Sequence, residues 1–172
     1  MVAPGPDEAQ LRQILSIAIR TPDHGKLAPW RFVIVAPDHR DDFAAALRSA
    51  YLADKPEAGR IEIEAVEAFA REAPVLIVAL SCPVAGKIPL WEQELSAGAA
   101  CMNLLTAAHA AGFVASWLTG WAAFSDRVRD LFGTPDCRIA GFIFIGTPSR
   151  PLDERPRPTF DSVVSTWTVP AA

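Results

Sequence analysis

The hydrophobic pattern of this chain predicts four strands and five helices. Short apolar runs rich in β-branched and aromatic residues predict the strands, at residues 30–36, 74–81, 113–118 and 139–146. Helical periodicity, capping residues and proline or glycine stops predict the helices, at about residues 7–20, 38–52, 56–69, 90–112 and 125–133. Strands and helices alternate only in part, and several connections are too irregular for a doubly wound sheet. The pattern therefore favours a single α+β domain over residues 1–172.

The first helix carries the most complete set of local signals. Asp7 can cap it, and Gln10 stands at the capping-box position three residues later. Pro22 should end this helix at about Arg20. One buried face is predicted from the helical spacing of five apolar residues: Leu11, Ile14, Leu15, Ala18 and Ile19. Three other helix starts are predicted from single residues: Asp38, Pro56 and Ser125.

A long stretch from Leu95 to Ser125 contains no Asp, Glu, Lys or Arg. On length alone it could span a bilayer. It carries polar side chains such as Asn103 and His109, however, and it breaks at Gly112 before a strand pattern begins. We therefore predict a buried helix followed by a strand, with no membrane insertion. A helix that is apolar all round needs cover on every side, and a second copy of the chain could supply some of it.

Composition excludes several classes of protein. The 172 residues include 20 acidic and 16 basic ones. The net charge of −4 lacks the excess of positive charge that is typical of nucleic-acid-binding proteins. The three cysteines (Cys82, Cys101 and Cys137) are widely spaced and form no CxxC pair, which predicts buried or incidental thiols in a reducing cytoplasm. The first ten residues do not resemble a signal peptide, which also favours a cytoplasmic location.

The last part of the chain differs from the rest. Residues 148–172 are rich in proline, with threonine, valine and one tryptophan, and they predict an extended arm. An apolar arm of this kind should pack on its own domain or on a partner subunit, because large exposed apolar surfaces are rare on monomers.

Common hydrolase and metalloenzyme motifs are absent from the sequence, including GxSxG, GxxxxGK[ST], GxGxxG and HExxH. His39, at a helix start, and His109, in an apolar helix, are interpreted as structural. His24 differs, because it lies in the polar junction Arg20–Trp30, which reads RTPDHGKLAPW between the first helix and the first strand. Such a junction is either a functional site on a rigid scaffold or a surface turn in which Asp23 only ends the helix.

Two further segments are candidates for ligand contacts. Trp117, Leu118, Thr119 and Gly120 close a predicted strand, where glycine would let backbone amides approach a planar heterocycle with carbonyl edges. The simpler alternative is an ordinary loop. Arg150 follows the last strand and could bind a phosphate in a fork geometry or be solvated.

Together these segments resemble the nitroreductase family, in particular its small members. The resemblance rests on segments whose order and spacing agree over about Glu8 to Arg150: RTPDH at 20–24, APWRF at 28–32, WEQE at 91–94, SAG at 96–98, Gly112-Phe113, 117–120 and 141–148. It implies a nitroreductase-like α+β fold, with a mostly antiparallel central sheet flanked by helices, built as an intertwined homodimer. It also implies two FMN sites at the dimer interface and a C-terminal arm, 148–172, that packs on the partner.

The implied activity is NAD(P)H-dependent reduction of nitroaromatics, quinones or similar small-molecule acceptors by ping-pong transfer, with the flavin rather than a protein side chain doing the chemistry. By position in the family pattern, Arg20 and His24 would reach the flavin of the other subunit. Trp117, Leu118, Thr119 and Gly120 would line the isoalloxazine edge, and Arg150 would reach the phosphate.

One departure from the family pattern bears on FMN. Family members normally begin with an Arg-Arg-Ser-type segment that grips the FMN phosphate and ribityl chain, and MVAPGPDEAQ contains nothing equivalent. The loss of one charge-assisted phosphate contact would weaken binding by roughly 1.5–3 kcal/mol. The alternatives are therefore a shortened chain, FMN held by fewer contacts, or a non-catalytic dimer that has lost FMN. A flavin-consuming or dehalogenating relative on the same scaffold stays open as well.

Overall fold

Four antiparallel strands form the central sheet of this computed structural model, which describes residues 1–133 and 135–169. The strands are β1 (Trp30–Val35), β2 (Val75–Ser81), β3 (Val114–Leu118) and β4 (Arg138–Gly146). Their order across the sheet is β1-β2-β4-β3, so β1 and β3 form opposite edges. All four predicted strands are confirmed to within one residue at each end, because their apolar runs are long and clearly bounded.

Seven helices are present in the described residues. They are α1 (Glu8–Ala18), α2 (Arg40–Asp54), α3 (Arg60–Phe69), α4 (Leu90–Ala110), α5 (Trp121–Phe124), α6 (Asp126–Asp130) and α7 (Phe160–Val163). The capping box of α1 is confirmed, since Gln10 N–H donates to Asp7 Oδ1 at 2.8 Å and Asp7 N–H donates to Gln10 Oε1 at 2.9 Å. Two short helices, α5 and α7, were not predicted.

Two predicted helix starts are wrong, and the third, at Ser125, is confirmed. A 3₁₀ turn at Pro37–His39 includes Asp38, so α2 begins only at Arg40. The third helix begins at Arg60 rather than Pro56, because Glu62 accepts a hydrogen bond from Gly59 N–H at 3.0 Å and caps it there. Ser125 precedes α6 as predicted, but its hydroxyl donates to Asp54 instead of capping that helix.

The sheet separates two hydrophobic clusters. On one face, Leu76, Val78 and Leu80 of β2 pack with α2 and the residues around α5. On the other face, Ile77 and Ala79 pack with α1 and α4. The alternation of β2 side chains thus buries both faces of this strand, and it explains why the run PVLIVALS is apolar throughout.

Helix α4 only partly confirms the prediction of a buried uncharged helix. Its inner face is buried, but one outer stripe stays exposed, and the larger exposed side chains are Trp91 (67%), Leu95 (53%) and Met102 (53%). Among the described residues, no helix is long and apolar enough to cross a membrane. The single chain therefore leaves a face of α4 without cover.

The cysteine prediction is wrong for two of the three residues. Cys82 and Cys137 form a disulfide between residues 55 positions apart, with their Cα atoms 4.2 Å apart. They meet because Ser81 of β2 pairs with Arg138 of β4, and Cys82 directly follows Ser81 while Cys137 directly precedes Arg138. Cys101 alone is a free thiol, buried in α4, and burial raises its pKa to about 12.

The described part of the predicted arm, residues 148–169, is exposed along its whole length. It contains the short helix α7, and large apolar side chains project from it, including Phe160 (72% exposed) and Trp167 (78% exposed). Residues 170–172 of the predicted arm lie outside the described residues. The arm does not bury these side chains against its own domain.

Candidate functional site

Hydrogen bonds to α4 hold the junction Arg20–Trp30, and two of them fix its first residues. Asn103 Nδ2 donates to Thr21 Oγ1 at 2.7 Å, and Ser96 Oγ donates to the carbonyl of Pro22 at 2.8 Å. Thr21 is buried, whereas Arg20 is exposed. The helix therefore presents a fixed platform from which Arg20 and His24 point away from the core.

Asp23 closes the turn that follows. Its Oδ2 accepts a hydrogen bond from Ala28 N–H at 2.6 Å, while Oδ1 is buried without a hydrogen-bond partner. The backbone between them is left-handed at Gly25 (φ 84°), Lys26 (φ 56°) and Ala28 (φ 48°). Two non-glycine residues in this region indicate strain that the surrounding contacts hold in place. Asp23 is thus a turn-closing residue, which goes beyond the helix-ending role that the simpler interpretation gave it.

His24 is oriented by a partner that the sequence did not reveal. Its Nδ1 lies 2.7 Å from Glu92 Oε2 in the first turn of α4, and its side chain is 63% exposed. Glu92 belongs to the WEQE segment, but it lies 68 residues from His24 along the chain, and no sequence pattern indicated their contact. The pair turns the imidazole toward the outer surface of α4, beside the exposed Leu95.

Trp117 lies at the opposite edge of the sheet, packed over β4. Its indole N–H donates to the carbonyl of Ala140 at 3.0 Å. A Cβ on Gly141 would stand 2.0 Å from Trp117 Nε1, so only glycine leaves room for this ring. The sequence segment GF at 141–142 therefore serves to seat Trp117.

The turn Thr119–Gly120 follows β3 and is exposed. Gly120 has φ +102°, and no atom lies within 4 Å of the position that a Cβ would take there. A flat ring could approach this backbone closely, which is the property that the sequence suggested. Thr119 also borders a largely apolar cavity of about 310 Å³ between α2, α3 and α5, with Tyr51 and Trp121 in its wall.

Carboxylates around this cavity are stabilised in their charged form. Asp54 has a lowered pKa, chiefly because Ser125 donates a hydrogen bond to it, with further donors at Trp121 and Arg127. Glu62 also has a lowered pKa, first because Gly59 N–H donates to it and then because the Tyr51 hydroxyl does.

Leu118 and Arg150 are brought together in a groove of about 500 Å³. The same groove is lined by residues of several elements and by the carboxylate residue Glu72: Met1, Glu72, His109, Val114, Ala115, Ser116, Phe144, Pro148, Ser149 and Leu152. Arg150 therefore lies where it could contact an anionic group in this groove.

Arg20 and His24 lie apart from this groove within one chain. They lie in the junction that leads to β1, whereas Trp117 and Leu118 end β3 at the opposite edge of the sheet. Three strand spacings of about 4.8 Å separate the two edges, which is roughly 14 Å. His24 lines a pocket on α4, whereas Leu118 and Arg150 line the groove described above, so one chain presents these predicted residues at separate places. In the described residues no group of three or more His, Cys, Asp or Glu could hold a metal ion.

Comparison with known proteins identifies the family. The sequence model of the nitroreductase family matches residues 3–147, which is most of the chain. The chain belongs to the nitroreductase family. It is therefore an oxidoreductase, and both the resemblance and the fold class predicted from the sequence are confirmed.

Relatives with curated names support the same assignment. The chain is 36% identical over 149 residues to "Putative NAD(P)H nitroreductase YdjA" of Escherichia coli (strain K12), covering 86% of this chain and 81% of that protein. It is 35% identical over 150 residues to "Putative NAD(P)H nitroreductase" of Haemophilus influenzae, covering 86% of this chain and 80% of the relative.

Solved structures confirm the fold of this nitroreductase family member. A nitroreductase-like family protein from Bacillus cereus superposes with a TM-score of 0.78 at 17% identity, covering 95% of this chain and 86% of that one. A protein described as a putative nitroreductase in complex with FMN, from Desulfovibrio desulfuricans, superposes with a TM-score of 0.71 at 23% identity, covering 97% and 88%.

Proposed function

We propose that this protein is an FMN-dependent NAD(P)H oxidoreductase that reduces nitroaromatics, quinones or similar acceptors by ping-pong transfer. The observation that carries the proposal is the 36% identity to a relative named as an NAD(P)H nitroreductase, over 86% of this chain. The related structure from Desulfovibrio desulfuricans is described in complex with FMN, which supports the choice of flavin.

The residues of this chain fit an FMN molecule in two respects. The open Gly120 backbone leaves space for a planar ring, and Arg150 offers a guanidinium in a groove of about 500 Å³. When bound, FMN supplies the chemistry, accepting a hydride from NAD(P)H and passing reducing equivalents to the acceptor. The protein's part is to orient the ring system with Trp117 to Gly120, and to place the cations Arg20 and Arg150 and the imidazole of His24 around it.

The proposal includes a homodimer, because one chain does not assemble all of these residues. The exposed stripe of α4 (Trp91, Leu95 and Met102) and the exposed apolar side chains of the arm indicate surfaces that a second copy would cover. In such a dimer Arg20 and His24 would serve the partner's flavin, and residues 148–172 would pack on the partner. The cytoplasmic location stays a prediction. The three cysteines no longer support it, because Cys82 and Cys137 form a disulfide.

The first test is a titration of the purified protein with FMN, followed by quenching of flavin fluorescence and by the melting temperature. We expect binding, and we expect NAD(P)H oxidation that depends on an added nitroarene or quinone. The proposal fails if FMN neither binds nor shifts the melting temperature. Binding of FMN without any acceptor-dependent NAD(P)H oxidation would instead favour the non-catalytic dimer.

Matched variants test the individual residues. Arg20→Ala and His24→Ala should each raise the FMN dissociation constant, by roughly 10-fold or more if one charge-assisted contact is lost. His39→Ala is the control for His24, because His39 is similarly exposed (69%) and also faces a carboxylate, Asp42, at 3.4 Å. Arg12→Ala is the control for Arg20, since Arg12 is an exposed arginine of α1, the helix that ends just before Arg20. Unchanged affinity in Arg20→Ala or His24→Ala would remove the corresponding assignment.

A further inference from the structure

We propose that Asp54 is a positioning residue that places the Thr119–Gly120 turn, an inference that rests on the proposed function, in which this turn lines the flavin. Asp54 is the last residue of α2. The partial negative charge of a helix C-terminus disfavours a carboxylate there. Hydrogen-bond donors from another segment of the chain offset this effect at Asp54.

Three donors from one short segment converge on Asp54. Ser125 Oγ donates to Oδ2 at 2.7 Å, Trp121 Nε1 donates to Oδ2 at 3.1 Å, and Arg127 Nε donates to Oδ1 at 3.0 Å. All three lie 67 to 73 residues away along the chain, and the Asp54 side chain is 29% exposed. Such charge-assisted bonds are stronger than neutral ones, and here they tie both α5 and the start of α6 to the end of α2.

Tyr51 holds the same tryptophan by its ring. The two rings meet edge to face, with centroids 4.7 Å apart and planes at 89°. Tyr51 is only 6% exposed, and its hydroxyl donates to Glu62 of α3 at 3.0 Å. The last turn of α2 therefore holds Trp121 twice, by the ring and by the indole N–H, from a fixed place in the core.

The position of Trp121 decides where the turn lies. At its other end the turn begins directly after Leu118, which pairs with Phe142 in the sheet. Only Thr119 and Gly120 separate these two anchors, and the three steps from Leu118 to Trp121 span about 11 Å at most. Helix α5 has four residues, too few to be stable by itself, so releasing Trp121 would release the turn with it.

The consequence concerns binding rather than bulk stability. A site works only if its contacts are held within about 0.5 Å, and Gly120 is the residue whose open backbone a ring would approach. Asp54 would thus set the affinity and the surroundings of the flavin without touching it.

The test uses Asp54→Asn and Trp121→Phe, which keeps an aromatic ring but removes the indole N–H. The control is Asp41→Asn, because Asp41 lies in the first turn of the same helix, and its 85% exposed side chain pairs with Arg71 at 2.7 Å. Hydrogen exchange over residues 117–124 of the protein without added FMN is measured first. The FMN dissociation constant and the visible absorption bands of bound FMN are measured next.

We expect amide exchange over residues 119–124 to rise at least about fivefold in both variants, with exchange in β2 unchanged. The FMN dissociation constant should rise on the order of tenfold and the visible bands should shift. Asp41→Asn should match the wild type in all three measurements.

Unchanged exchange over residues 119–124 would overturn the inference, whatever FMN does. Exchange that rises equally in β2 would show a general loss of stability and would also overturn it. Faster exchange at the turn with unaltered FMN affinity and spectrum would overturn its role toward the flavin. If the wild type itself binds no FMN, the proposed function fails and so does this role, while the exchange data would still report whether Asp54 anchors the turn.

Discussion

Replacing Arg40 by alanine should strongly destabilise the fold. Arg40 begins α2, is only 7% exposed, and points its guanidinium into the space between β1 and the end of α3. In the described residues no carboxylate pairs with it. Desolvation by burial lowers the pKa of Arg40 from its ordinary value, but an arginine still stays charged at neutral pH.

Backbone carbonyls replace the missing carboxylate. The guanidinium donates to the carbonyls of Val35 at 2.9 Å, Ala70 at 2.8 Å, Ala73 at 3.3 Å and Pro74 at 3.2 Å. It therefore caps the end of α3 and joins this end to β1, where a cation is also favoured by the helix dipole. Hydrogen bonds to charged groups contribute about 1.5–3 kcal/mol each, but they are not additive.

We expect Arg40→Ala to lower the free energy of unfolding by about 3–5 kcal/mol, because it leaves several buried carbonyls without a donor. At about 2–4 °C per kcal/mol for a chain of this size, the melting temperature should fall by roughly 6–20 °C. Urea unfolding, monitored by circular dichroism, measures the free energy directly.

Arg48→Ala is the matched control. Arg48 lies on the same helix, but its side chain is 54% exposed and makes a single contact, to Glu67 at 3.3 Å. Its loss should change the free energy of unfolding by less than about 1 kcal/mol. The reasoning is refuted if Arg40→Ala is destabilised by no more than Arg48→Ala.

Two further predictions concern other parts of the sheet. Gly141→Ala should displace the Trp117 indole, because its Cβ would stand 2.0 Å from Trp117 Nε1, and it should lower the free energy of unfolding by about 1–3 kcal/mol in urea titrations. Gly86→Ala, where no atom lies within 4 Å, should be nearly neutral, and equal effects of the two variants would contradict the prediction. Reduction of the Cys82–Cys137 disulfide, which joins residues 55 positions apart, should lower the free energy of unfolding by about 4 kcal/mol in the chain-entropy view. Melting with and without dithiothreitol measures this, and the double Cys82→Ala, Cys137→Ala variant should not respond to the reductant; a wild type that does not respond would refute it.

Local signals account for much of this molecule before any tertiary contact is considered. The four strands follow from continuous apolar runs, and the start of α1 follows from Asp7 and Gln10, because each signal acts within a few residues. The segments proposed for the flavin site also come from local signals, since the family pattern is a pattern of short motifs. Even local prediction failed where two signals compete, as at Pro37–His39, where a 3₁₀ turn, with His39 N–H donating to the Ala36 carbonyl at 3.0 Å, delays α2.

Contacts between distant residues were decided only by the folded chain. The register of β2 and β4 brings Cys82 to Cys137, and the packing of the junction on α4 brings His24 to Glu92. Asp54 meets its three donors across 67 to 73 residues for the same reason. Periodicity along a chain reports which side of an element is buried, but it carries no information about which distant polar group will lie opposite. Those pairings depend on strand register and helix packing, so only the folded structure shows which of these distant residues meet.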